Sequence, residues 1–96
     1  MEDIKMPYHK NKMAAFEAAQ NGMRKVTDVY VNLQAMKHDP EFGREVKRFW
    51  EEINEAYQQV ENADEVASEH QREQLVEFRD TLKQYVSELN AYNELR

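Results

Sequence analysis

From Phe16 onward the apolar residues of this chain fall at alternating spacings of three and four, in three successive series. Phe16, Ala19, Met23, Val26, Tyr30 and Leu33 form the first. Phe42, Val46, Phe49, Ile53, Ala56, Val60 and Ala63 form the second, and Leu75, Phe78, Leu82, Tyr85, Leu89 and Tyr92 the third. Side chains three and four apart share one face of an α-helix, so each series is a stripe that must be buried against another helix. The pattern predicts an all-α chain, an antiparallel bundle of three long helices. Its 96 residues suffice for one such domain, spanning 1–96, with residues 1–6 ahead of the first helix and expected to be flexible.

The punctuation is sparse. Asp39-Pro40-Glu41 is the strongest boundary: Asp caps orphan amides, Pro has the φ of the first helical position, and Glu complements the helix dipole. The residue before a proline is driven out of the α region, so the first helix is predicted to run from about Pro7 to Lys37, ~45 Å at 1.5 Å per residue. A turn at residues 38–40 then makes the first two helices antiparallel neighbours. Asn21-Gly22 interrupts the first helix with a C-cap signal, yet the stripe continues in phase through Met23 and Val26. Gly22 therefore reads as a point of close approach within one helix, the alternative being a break or kink.

After Gly43 the remaining 53 residues contain neither glycine nor proline. Two outcomes follow: a helical hairpin with one very long second helix, or a break within the polar stretch from Glu61 to Gln71. That stretch holds two capping-box patterns, Asn62 with Glu65 and Ser68 with Gln71. A break near residues 62–68 is the expectation, because an uninterrupted helix leaves its last third without a partner in the same chain.

Charge restricts the partners. Residues 1–38 carry six Lys or Arg against four acids, and residues 39–96 seven against fifteen, so the net charge of -6 resides in the later part. Between Glu51 and Glu73 there are eight acids and one basic residue, Arg72. Such a belt repels phosphate and disfavours nucleic acid and anionic membranes. It is ordinarily a solvated face; the alternative is a docking strip for a basic partner. No stretch approaches the ~18 apolar residues of a membrane span, and Met1 to Lys5 do not open a signal peptide. A cytoplasmic protein is the expectation. The 33% of charged residues and the scarcity of glycine and proline match long helices and coiled coils.

Catalytic and ligand-binding patterns are not found. A carboxylate di-metal bundle needs Glu three residues before His on two helices, whereas Met6, Ala35 and Ala67 precede His9, His38 and His70 at that spacing. Ser68 and Ser87 lie in no glycine-framed elbow, the two glycines are 21 residues apart, and there is no cysteine. The sequence therefore predicts no catalytic residue, no metal site and no cofactor.

What remains is contact with protein. Trp50 and Tyr57, seven apart, widen the apolar face of the second helix; they either meet the third helix or anchor a partner. Met6, Tyr8 and Met13 form an adaptable apolar end ahead of the first stripe. The stripe of the third helix is the predicted interface of a homodimer, with Trp50, Tyr57, Leu82, Tyr85, Leu89 and Tyr92 as partner-binding residues.

The segment from Leu33 to Tyr57 comprises a helix end, His38-Asp39-Pro40-Glu41-Phe42, and a helix bearing Phe49, Ile53 and Tyr57. It resembles the small helical YlbF/YmcA-type proteins of Gram-positive bacteria over about half the chain. That resemblance implies a bacterial, non-enzymatic regulator acting through protein complexes. The length and central turn are also similar to those of the secreted WXG100 helical hairpins, with Tyr57 and Glu61 matching the spacing of their export signal. Gly43 and Trp50 do not form the Trp-x-Gly bend of that family. A non-enzymatic interaction bundle is the first expectation, and the secreted hairpin its rival.

Overall fold

The computed structural model describes residues 7–94, and side-chain surroundings for residues 13–91. Three helices follow one another: α1 Pro7–Ala35, α2 Phe42–Val66 and α3 Glu69–Glu94. The predicted three-helix arrangement is observed, and the long-hairpin alternative is overturned by the interruption at Ala67 and Ser68. The expected flexibility of residues 1–6 lies outside the described residues.

Local chemistry explains both reversals. Between α1 and α2, three i→i+3 bonds run in series: Met36 N–H to the Leu33 carbonyl (3.0 Å), Asp39 N–H to Met36 (2.9 Å) and Phe42 N–H to Asp39 (3.0 Å). They end α1 two residues before the predicted Lys37. The Asp39 carboxylate accepts the Glu41 N–H at 2.8 Å, a local side-chain turn that holds Pro40 and Glu41 outside the helix. The helix start therefore shifts from the expected Pro40 to Phe42, with Glu41 as the flanking residue, its carbonyl accepting from Arg44 and Glu45.

Between α2 and α3 the Ser68–Gln71 capping box is formed reciprocally: Gln71 N–H donates to Ser68 Oγ (3.3 Å) and Ser68 N–H to Gln71 Oε1 (3.1 Å). Ala67 is extended, at φ -75° and ψ 148°, which turns the chain back on itself. The competing box at Asn62 and Glu65 is passed over because the adjacent Ala63 is 1% exposed, and α2 must continue to keep it in the core.

The helices form a rod 54 × 22 × 18 Å. Antiparallel packing of α2 on both neighbours places α2 between α1 and α3, which run parallel and whose backbones approach far less closely. The core draws Ala19, Met23, Val26, Val29 and Leu33 from α1, Phe49, Ile53, Ala56, Val60 and Ala63 from α2, and Leu75, Leu82 and Leu89 from α3. Burial of Leu75, Leu82 and Leu89 at intervals of seven leaves Phe78 and Tyr85 at the edge of the stripe, turned toward α1. Among the described residues no polar or charged residue is buried as a whole.

Helix α1 passes through Gly22 unbroken, and Gly22 is buried against α2, as the close-approach reading requires. The space a Cβ at Gly22 needs is occupied by Gln59 Oε1, a buried oxygen with no hydrogen-bond partner, while the Ala56 Cα lies 3.4 Å from it. The Gln59 amide is the end of a flexible, half-buried side chain and gains by moving to water. Gly22→Ala is accordingly expected to stabilise the protein by ~0.5–1 kcal/mol through helix propensity, read as a higher urea midpoint. A lower midpoint would show that Gln59 cannot move. Gly22→Val presses on the Ala56 backbone and is expected to destabilise.

Candidate functional site

The sequence placed the partner surface on the stripe of α3. The structure corrects this for Leu82 and Leu89 and leaves Tyr85 half-buried at an edge. Leu82 and Leu89 have zero exposure inside one chain, and Tyr85 is packed between Tyr30 and Phe49. Helical periodicity identifies a face but not its partner, and this face is already covered by α1 and α2. Trp50 and Tyr57 are half-buried on the core cluster. Tyr57 lies within electrostatic reach of Arg79 on α3, so its side of α2 turns toward α3. Burial pushes the Tyr57 phenol above its ordinary range and Arg79 opposes this, so the folded state favours the neutral phenol and loses that preference as pH rises through its ionisation. The side chain of Tyr92 lies outside the described residues.

The acidic belt ties into the same seam. Asp64, in the last turn of α2, stands 3.8 Å from Arg72 and 3.8 Å from Arg79. A carboxylate opposes the dipole at a helix C-terminus, and the two guanidinium groups of α3 offset this while bracing the turn. Of the remaining acids of the belt, Glu51, Glu55, Glu61, Glu65, Glu69 and Glu73 are exposed and Glu52 is half-buried.

A different surface has the character of a binding face. Where α1 and α3 run parallel, aromatic side chains bridge the gap: Phe16 stacks on Phe78 with ring centroids 6.3 Å apart, and Tyr30 on Tyr85 at 4.7 Å. Phe49 of α2 closes the second pair into a three-ring cluster, 5.8 Å from Tyr30 and 5.3 Å from Tyr85. The Tyr30 hydroxyl donates to the Glu88 carboxylate at 3.0 and 3.2 Å, and Thr27 Oγ1 lies 3.4 Å from the Tyr85 hydroxyl. These contacts fix which edge of each helix faces the seam. Positions three, four and seven residues away lie on the same edges: Gln20 beside Phe16 and Thr27 on α1, Gln74 and Thr81 beside Phe78 and Tyr85 on α3.

The composition of this strip differs from that of the chain. A third of all residues are charged, yet along the seam the single charged side chain among those named is Glu88, and it is held by Tyr30. Met13 and Val31, 63% and 61% exposed, stand at the α1 rim, with Glu17 and Arg24 beyond, and Glu77 is exposed on the α3 side. Partly exposed aromatics, neutral polar groups and a charged border are the anatomy of a protein-binding surface. Sequence reasoning named Met13 and Tyr85 but missed the seam, because Phe16, Tyr30 and Phe78 read as interior stripe members and only tertiary packing shows that they meet Tyr85 at an edge.

Among the described residues no three His, Asp or Glu side chains are grouped to hold a metal ion, and no helix is long and apolar enough to cross a membrane. The class defined by fold and surface is a small all-α bundle of three helices. The chain matches no protein-family model, and neither a curated protein nor a solved structure shows significant similarity to it.

Proposed function

We propose that this protein is a non-enzymatic interaction module, a regulatory or scaffolding helical bundle that works by binding protein and that associates with itself. The observation that supports this reading is the seam between α1 and α3, where the Phe16–Phe78 and Tyr30–Tyr85 pairs remain partly exposed beside Met13 and Val31. Solvent-facing aromatic and methionine groups in a rod otherwise covered by charge favour protein contact over solvation. The resemblance of Leu33 to Tyr57 to the YlbF/YmcA-type regulators points the same way. A cytoplasmic bacterial setting belongs to this proposal. The secreted-hairpin reading receives no support from the fold, which has a third helix equal in length to the second to within one residue.

Sedimentation equilibrium tests the self-association. The mass is expected to rise from that of the 11.5 kDa chain toward twice that value as concentration increases into the tens of micromolar. A constant single-chain mass over that range contradicts this part of the proposal.

A further inference from the structure

The α1–α3 seam fits one occupant better than any other: the same seam on a second copy. We infer that two chains pair face to face along it, as an isologous dimer in which each copy covers the aromatic pairs of the other. The inference rests on the self-association proposed above and adds where it occurs and why.

Net charge is the first reason. Each chain carries -6, so two copies meeting through most faces bring like charges together. The acidic belt is the extreme case, with exposed Glu61, Glu65, Glu69 and Glu73 gathered around the α2–α3 turn. A two-fold contact sets a surface against itself, and a surface free of net charge tolerates this. The seam comes near that condition, with Glu88 the single charged side chain among those named. Gln20, Thr27, Gln74 and Thr81 are neutral groups that both donate and accept hydrogen bonds, so each can bond to whichever polar group the two-fold sets opposite it, and the Glu88 carboxylate already accepts from Tyr30.

Area is the second. A face as long as the rod and as wide as its narrow dimension, 54 by 18 Å, offers on the order of 1,000 Å² on each copy, against the roughly 800 Å² per partner of a stable specific interface. The third is the distribution of exposed apolar groups. Met13 and Val31 stand one at each end of the α1 rim, 18 residues apart and so separated by about 27 Å along the helix, where a full-length pairing covers both, while Val76 of α3, 50% exposed, lies off the seam.

The test is sedimentation equilibrium of the whole chain and two variants, with helical circular dichroism and thermal melting as checks on folding. Gln20→Glu combined with Val31→Glu alters two exposed positions of α1, so the bundle is retained while four carboxylates enter the dimer seam. Dissociation is expected to become at least ~100-fold easier, as like charges are juxtaposed. Lys47→Glu, on the exposed outer face of α2 away from the seam, is expected to leave the dimer intact. If the double variant loses its fold, Gln74→Glu on the opposite helix serves in its place with the same expected loss. A dimer in the parent chain that survives the seam substitutions overturns the seam assignment and leaves self-association standing. A parent chain monomeric at ~100 µM overturns both and leaves the seam to a different protein.

Discussion

Leu82→Glu is expected to remove most of the stability of the single chain. Leu82 has zero exposure and sits in the middle of α3 between Leu75 and Leu89, with core residues of α1 and α2 closing over it. The substitution forfeits an apolar side chain worth ~2–5 kcal/mol and puts a carboxyl group among hydrocarbons with no buried polar residue among the described ones to receive it. The sum is comparable to the ~5–15 kcal/mol that holds a domain of this size together. Thermal melting should fall by more than about 15 °C, or the cooperative transition should vanish, at concentrations where the parent chain is monomeric. An unchanged melting temperature with lost self-association would instead place the α3 stripe on an outer surface and return the dimer interface to Leu82 and Leu89.

Phe49→Ala carries the second large effect. Phe49 is fully buried and is the ring through which all three helices touch, 5.8 Å from Tyr30 of α1 and 5.3 Å from Tyr85 of α3. Truncation should cost ~3–5 kcal/mol, because the cavity lies where three helices converge and no single one can move in to fill it. The near-ultraviolet dichroism of the tyrosines should weaken as Tyr30 and Tyr85 lose their common neighbour. Phe16→Ala gives the contrast. Phe16 is only partly buried against Phe78, so a loss of about half that size or less is expected. Equal losses at Phe16 and Phe49 would mean that the outer aromatic pair is as enclosed as the inner cluster.

Much of the fold is legible in the sequence, and particular residues show where legibility ends. The stripes are explicit: Ala19, Met23, Val26 and Leu33, then Phe49, Ile53, Ala56, Val60 and Ala63, then Leu75, Leu82 and Leu89 are buried, while Phe16, Tyr30, Phe42, Val46, Phe78 and Tyr85 of the same series are partly buried against them. The Asp39-Pro40 reversal and the break at Ser68 are carried by side chains acting on nearby backbone, so local chemistry announces them. Val29 is not a member of the first apolar series, yet it is 4% exposed, on the same side of α1 as the buried Gly22 seven residues before it. The start of α2 shifted by two residues because a turn and a cap compete for the same Asp39 carboxylate.

The α1–α3 edge was the least legible part, for a physical reason. A period of 3.6 specifies the direction in which a helix must be covered, while the identity of the cover depends on how closely each pair of helices approaches. In this bundle α2 approaches both neighbours closely and α1 and α3 remain apart, so the leucines of the α3 stripe are enclosed within the chain while Phe78 and Tyr85 stay at an edge that no single helix predicts.

The central claim is that one chain buries all three stripes by itself and keeps the α1–α3 edge as its outward face. Nuclear Overhauser spectra on an equal mixture of isotopically labelled and unlabelled chains, filtered to separate intrachain from interchain contacts, test it directly. Ring contacts between Tyr30 and Tyr85, 4.7 Å between centroids, and between Phe16 and Phe78 at 6.3 Å, are expected within a labelled chain. If those pairs appear only between labelled and unlabelled chains, the third helix packs on another molecule and the single-chain bundle is contradicted.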